Sequence, residues 1–313
     1  MRIAISGSMG LIGSVLISAL ETEGHSIVPI ICSGRKPPPG AVWLGPYSAG
    51  HVVHLPELEG MDAIVHLAGE NIARGRWTPD KKRAVFHSRS LVTLRLCKAL
   101  NMLQSPPGAL LIASAVGVYD DRGGTELDED STCKLPLTSD GSFPSGASFL
   151  SYVCMLWEAA AKAEPVPCRV VNLRFGAVLS GKGGALAKML KPFKWGLGGV
   201  IGSGEQYMSW IAIDDVVGAI KHVLAREALQ GPVNVVSPNP VTNREFTKTL
   251  GKLLRRPTLF PVPAFAVRFA FGELADALLL ASQRVVPRRL MDSGFAFKYP
   301  VLEDALRHVL GLE

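Results

Sequence analysis

Three glycines and a handful of polar residues hold the chemistry that this 313-residue sequence can perform. Ser6-Gly7-Ser8-Met9-Gly10-Leu11-Ile12-Gly13 follows the β-branched run Arg2 to Ser6 and opens an amphipathic stretch at Leu11. Between a strand and a helix, glycines at this spacing make a phosphate-binding turn. Gly7 permits the tight turn, Gly10 lets the backbone approach a pyrophosphate, and Gly13 lets helix and strand pack closely, with the helix N-terminus facing the negative charge. Gly7, Ser8, Met9, Gly10, Leu11, Ile12 and Gly13 are therefore the expected cradle of a dinucleotide.

The end of the second apolar run decides which dinucleotide fits. An acidic residue there would bond the ribose 2′-hydroxyl of NAD. This chain has Cys32-Ser33-Gly34-Arg35-Lys36 instead, so Ser33 and Arg35 can hold the 2′-phosphate of NADP, Arg pairing with phosphate bidentately. An exposed basic loop is the other reading. Further along, Ser114 closes another apolar run and Tyr119 follows it. Tyr119 either donates to a substrate oxygen, oriented by Asp120 or Glu158, or packs as an amphipathic wall residue. Cys154 reads as a buried inert thiol, and Asp214 and Asp215 as caps of the helix they open. Phe193, Trp195, Met208 and Trp210 give either an apolar pocket or plain core.

The elements that must position these residues alternate in type. Arg2 to Ser6, Ser26 to Cys32, Ala63 to Leu67, Leu110 to Ser114 and Arg169 to Leu173 read as buried strands, separated by helices over Leu11 to Glu23, Pro79 to Leu103 and Ser148 to Ala163. That order predicts an α/β fold, a Rossmann-type doubly wound parallel sheet. Beyond Gly176 the chain turns glycine-rich, then gives a strand and helix over Trp210 to Ala225, a strand over Pro232 to Val236 and a helix over Asn243 to Arg255. The expected division is a nucleotide-binding domain over 1–176, with some later segments returning to it, and a smaller C-terminal α/β lobe over 177–313 for the substrate.

Composition narrows the classes. Five scattered cysteines without a CxxC pair argue against a disulfide framework or a metal site and fit a reducing, cytoplasmic setting. The apolar start is cut by glycines, unlike a signal peptide, and Phe260 to Ser282 is broken by Pro263, Arg268, Glu273 and Asp276, unlike a membrane span. The net charge of +6 is spread, its dense clusters being Arg255-Arg256 and Arg284 to Arg289. Solvated surface or a small anionic ligand accounts for it, so neither nucleic acid nor membrane is expected as a partner.

The strings LAGENI, RWTPDKK, HSRSLVT, SAVGVYD, WEAAA, RFGAVLSGKGGALAKMLKPF and IGSGEQYMSWIAIDD resemble the extended short-chain dehydrogenase/reductase family, in its sugar-nucleotide epimerase branch. The resemblance runs from Arg2 to about Pro238, and the tail resembles that branch's own C-terminal segment. It implies NADP(H) as cofactor, with Leu67, Ala68, Gly69 and Glu70 along its adenosine and pyrophosphate side and Arg89 reaching it from the long helix. Phe175, Gly176 and Ala177 would lie against the nicotinamide.

The family pairs a Ser or Thr near the end of the fifth strand with a Tyr four residues before a Lys on the next helix. Ser114 stands at the first place. Anchored on Trp157-Glu158, the Tyr and Lys positions fall on Leu150 and Cys154, and Tyr152 has Leu156 four residues on. The dyad is absent, which leaves Ser114 and Tyr119 as the catalytic candidates. Members acting on nucleotide sugars commonly carry an Arg before the Asp-Asp turn, where this chain has Met208. Two functions stay open: an NADP(H)-dependent oxidoreductase or epimerase on a small carbonyl or carbinol substrate, or a non-catalytic NADPH-binding sensor or scaffold. A homodimer through the helices Pro79 to Leu103 and Ser148 to Ala163 is the assembly the family commonly shows.

Overall fold

The computed structural model describes residues 1–32, 40–44, 54–136, 138, 142–164 and 166–312. Strands β1 (Arg2–Ser6), β2 (Ser26–Ile31), β3 (Val42–Trp43), β4 (Ala63–His66) and β5 (Ala109–Ala115) join strands Arg169–Phe175 and Gly231–Val235 in one seven-stranded sheet. Its order is Gly231–Val235, Arg169–Phe175, β5, β4, β1, β2, β3. The pairs β1–β2, β1–β4, β2–β3 and β4–β5 are all parallel. From β1 the chain runs to one edge through β2 and β3, then crosses to the other side through β4 and β5. This is a doubly wound sheet, whose ligands lie beyond the strands' carboxyl ends where the order reverses. Ile3, Ala4, Ile5, Ala63, Ile64 and Val65 are fully buried, as parallel strands covered on both faces must be.

The five buried runs up to Leu173 read as strands form the sheet, with ends shifted by a residue or two, whereas the strand expected at Trp210 pairs with Ala177–Leu179 in a separate two-stranded sheet. Gly231–Val235, from the later half of the chain, forms an edge of the central sheet. Helix α1 (Leu11–Thr22) returns the chain from β1 to β2. The long helix is interrupted: α2 (Pro79–Phe86) passes through a π-turn at His87–Leu91 into α3 (Val92–Leu100). Thr78 caps α2 by accepting from the Lys81 N–H, and Pro79 takes the first position, where no N–H is needed. Helix α4 spans Gly146–Ala163.

Two compact units result. The first comprises 1–114, 153–173 and 221–233, and the second 115–152, 174–220 and 234–313. The second unit contains α5 (Gly184–Lys194), most of α6 (Ile213–Ala225), α7 (Asn243–Leu253) and α8 (Ala264–Phe271). Its core gathers Leu186, Leu190 and Phe193 of α5 with Trp210, Phe246 and Leu306. Trp210 is fully buried and its indole N–H donates to the Asn239 carbonyl at 2.9 Å. Asp215, read as a helix cap, accepts from the Lys298 and Tyr299 backbone N–H groups at 2.6 and 2.9 Å, while Asp214 pairs with His308. The two carboxylates tie the C-terminal segment to α6. Among the described residues no helix is long and apolar enough to cross a membrane.

Candidate functional site

The glycine turn closes β1 against α1. Gly7 takes φ 72° and packs against the Leu67 backbone, where a Cβ would lie 2.9 Å from the Leu67 carbonyl carbon. The Gly10 N–H donates to the Gly7 carbonyl at 2.9 Å, and a Cβ on Gly13 would collide with that same carbonyl oxygen. Gly10 precedes Leu11 as the N-cap with no side-chain cap. The first-turn N–H groups of α1 therefore point outward as donors for an anion. Met9 projects into solvent, and Ser8, Leu11 and Ile12 are half-buried around it.

Beneath the turn, Ser6 and His66 are register partners on β1 and β4. Ser6 Oγ lies 2.7 Å from His66 Nδ1 and accepts from the Ala68 N–H at 3.1 Å. These bonds fix Leu67 and Ala68 as the chain leaves β4. Burial pushes the His66 pKa down to about 4, so the ring is neutral. A cavity of about 150 Å³ opens here, lined by Cys32, Ala68, Gly69, Glu70 and Ser88. Burial raises the Cys32 thiol to about 12, which makes it an uncharged wall. The Glu70 N–H donates to Ser88 Oγ at 2.9 Å, and the Glu70 carboxylate is paired with Lys81. That pairing offsets the repulsion a bare carboxylate would exert on an anionic ligand.

Arg89 reaches the same place from the π-turn. Its guanidinium lies against Gly69, stacks over the Trp157 ring at 5.1 Å, and donates to the Val85 carbonyl at 3.2 Å. Trp157 is in turn held by Thr93, whose hydroxyl accepts from the indole N–H at 2.9 Å. Burial lowers the Arg89 pKa, opposed by the neighbouring Cys154 and Glu70. A guanidinium keeps its proton throughout the ordinary pH range, so a cation stands against Gly69, one of the residues lining the cavity. Ser33 and Arg35 lie outside the described residues.

Near the end of β5, Ser114 Oγ donates to Glu158 Oε1 at 2.8 Å, and both side chains are buried. Glu158 sits one turn beyond Cys154, which is also buried, on α4. With Leu150 and Cys154 at the Tyr and Lys positions, the polar contact at the end of β5 is instead the Ser114 hydroxyl on the Glu158 carboxylate. Sequence reasoning gave Glu158 only as a possible orienter of Tyr119. Its place four residues after Cys154 on the same helix was the available signal.

Tyr119 belongs to the second unit and is 1% exposed. Its hydroxyl donates to Asn234 Oδ1 and accepts from Arg174 Nη1, both at 2.8 Å, and Arg174 also stacks over its ring. Asn234 is held in turn by the Glu129 carboxylate and the Val286 carbonyl. Of the two readings of Tyr119, this geometry matches the packed one: its proton is committed inside a buried network. Asp120 orients Ser148, not Tyr119, across 2.9 Å, and does so at φ 61° and ψ −163°, a backbone region that strains any residue with a Cβ. In the same unit Phe175 is buried, and Gly176 packs so tightly on the Ser209 carbonyl that a Cβ would lie 2.5 Å away. The Ala177 N–H donates to that carbonyl at 2.8 Å.

A doubly wound parallel sheet with a glycine turn between its first strand and helix is the architecture of the Rossmann class. Residues 3–236 match the NAD dependent epimerase/dehydratase family, and residues 262–309 match the Domain of unknown function (DUF1731). The chain belongs to the NAD dependent epimerase/dehydratase family, in the extended short-chain dehydrogenase/reductase group. It is 39% identical over 307 residues to an epimerase family protein of Mycobacterium bovis, spanning 97% of this chain and 96% of that one. To human epimerase family protein SDR39U1 it is 36% identical over 312 residues, spanning 99% and 100%. The crystal structure of human SDR39U1 (isoform 2) with NADPH superposes with a TM-score of 0.85 at 35% identity over 99% of both chains. A nucleoside-diphosphate sugar epimerase from Corynebacterium glutamicum gives 0.76 at 32% identity, over 100% of this chain and 59% of that one.

Proposed function

We propose that this chain binds NADP(H) on the glycine turn and acts as an oxidoreductase or epimerase on a small carbonyl or carbinol substrate. The observation that carries the reading is the turn itself. Gly7 and Gly13 are forced by contacts within the fold, but a Cβ on Gly10 would meet a single backbone oxygen at 3.1 Å. The space beside Gly10 is thus kept clear for something outside the fold, next to the uncapped first turn of α1. The human relative crystallised with NADPH supports the choice of ligand. In this assignment Gly7 to Gly13 hold the pyrophosphate, Ala68, Gly69 and Glu70 line the adenosine side with Arg89, and Ser33 and Arg35 select the 2′-phosphate.

When bound, the nicotinamide supplies a hydride acceptor or donor. Ser114 and Glu158 then supply the proton path. A carbinol proton passes to Ser114 Oγ as the Ser114 proton passes to the Glu158 carboxylate, and the return step reverses both transfers. Phe175, Gly176 and Ala177 remain the assigned nicotinamide contacts.

The test is a fluorescence titration of the purified chain with NADPH and NADH, repeated on Arg35→Ala. NADPH preferred by about tenfold or more, equivalent to about 1.4 kcal/mol, with the preference lost in Arg35→Ala, is the expected result. Binding of neither nucleotide would overturn the proposal.

A further inference from the structure

Two segments of the second unit, 182–204 and 246–272, together contain nine Lys and Arg and no Asp or Glu. The rest of the chain then has 24 Lys and Arg against 27 Asp and Glu, so the whole positive surplus resides in these two segments. The fold gathers it: the Val262 N–H donates to the Val200 carbonyl at 2.8 Å, the Gly202 N–H donates to the Val262 carbonyl at 3.0 Å, and Ile201 bridges Val262. Gly196 lies against Pro257, and Gly199 against the Phe260 carbonyl.

The stitched segments expose an unusual set of apolar side chains. Trp195, Leu197, Leu259, Phe260, Phe265 and Phe269 are between 63% and 84% exposed. Phe265 and Phe269 stand one turn apart on α8, on a helix whose Val267 is buried at 3%. Lys191, Lys194, Arg255 and Arg256 are exposed among them. Large apolar side chains exposed in such number on two joined segments mark an interaction site.

We propose that this face docks on an anionic lipid surface, the aromatic and leucine side chains entering the boundary between headgroups and acyl chains and the lysines and arginines engaging the headgroups. Charge complementarity selects this occupant. Lys252 is paired with Glu303 and Arg268 with Asp276, but Lys191, Lys194, Arg255 and Arg256 stand exposed beside the apolar side chains, and a second copy meeting the face across a two-fold axis would set these like charges against each other. An anionic bilayer satisfies both halves of the pattern, since Trp, Phe and Leu beside Lys and Arg are the composition of elements that lie in the interface plane. The proposal departs from the expectation of no membrane partner, and concerns docking on a membrane, not crossing one.

Flotation of the full chain with vesicles of phosphatidylcholine alone, or of phosphatidylcholine mixed with phosphatidylglycerol, tests it. Binding to the mixed vesicles should exceed that to neutral ones by about tenfold or more and fall with salt. Phe265→Ser with Phe269→Ser, and separately Arg255→Gln with Arg256→Gln, should each lower it by about tenfold, with melting temperatures unchanged because the sites are exposed. Brominated lipid should quench tryptophan emission in the wild type and less in Trp195→Phe. Absence of flotation on mixed vesicles overturns the proposal. So does a stable dimer in sedimentation that the phenylalanine substitutions dissociate, or retention by single-stranded nucleic acid without vesicle binding.

Discussion

Ser114, the penultimate residue of β5, donates its hydroxyl proton to Glu158 on α4 across 2.8 Å. A hydroxyl polarised this way can relay a proton where a phenolate normally would. Glu158→Gln keeps an acceptor oxygen but removes the charge. In single-turnover oxidation of bound NADPH by a carbonyl compound, which takes the hydride, it should cost about 10²–10⁴ in rate while NADPH affinity stays unchanged. Ser114→Ala should match it, and the double variant should be no worse than either single one. Wild-type rates in both singles would put the proton path elsewhere.

Tyr119→Phe separates structure from chemistry. Removing the hydroxyl leaves Asn234 Oδ1 without its donor inside a buried network, a loss of about 1–3 kcal/mol that thermal or urea unfolding will detect. NADPH affinity should not move. Burial raises the Tyr119 pKa above its usual 10. Above that pH the unfolded chain releases a proton that the native state retains, so stability falls as pH rises. The fall should be steeper in wild type than in Tyr119→Phe.

Much of the sheet was legible because its signal is local. Runs such as Ile3-Ala4-Ile5 and Ala63-Ile64-Val65 are apolar without alternation, the pattern of strands buried on both faces, and the glycine turn is contiguous with β1. The rest depended on long-range pairing. Gly231–Val235 belongs to the central sheet, but nothing in its composition distinguishes a sheet edge from a lobe strand. The partners of Tyr119, Asn234 and Arg174, lie 115 and 55 residues away, beyond any spacing rule, so a loop tyrosine looked available for chemistry. Glu158 was visible on its helix, and only the fold brings it to Ser114. Helix α5 was hidden by the glycines flanking it, although Leu186, Leu190 and Phe193 have helical spacing.

His66 makes acid stability a readout of the sheet. Burial lowers its pKa from 6.5 to about 4. Between those values the unfolded chain binds a proton that the native state refuses, so stability falls as pH falls through this window. The slope is about 1.4 kcal/mol per pH unit, and the loss about 3 kcal/mol in all. Unfolding by urea at several pH values in the window gives the slope, and the His66 ring proton resonances should report a neutral imidazole down to the lower end. Ring titration near 6.5 in the folded protein would contradict the burial argument.

Gly10 and Gly13 differ in what an added methyl group would meet, and the difference separates fold from ligand. At Gly13 the methyl collides with the Gly7 carbonyl within the turn. Gly13→Ala must therefore shift α1 against β1, at about 1–3 kcal/mol, and should lose stability and nucleotide affinity together. At Gly10 the methyl meets that carbonyl at 3.1 Å and nothing else within 4 Å, so a shift of a few tenths of an ångström accommodates it. Gly10→Ala should melt within about 4 °C of wild type, the shift that about 1 kcal/mol produces in a chain this large. Its methyl nevertheless occupies the surface on which the pyrophosphate is assigned to rest, so NADPH affinity should drop by about tenfold or more. A Gly10→Ala protein that melts normally and binds NADPH like wild type would move the pyrophosphate off this turn, whatever Gly13→Ala does.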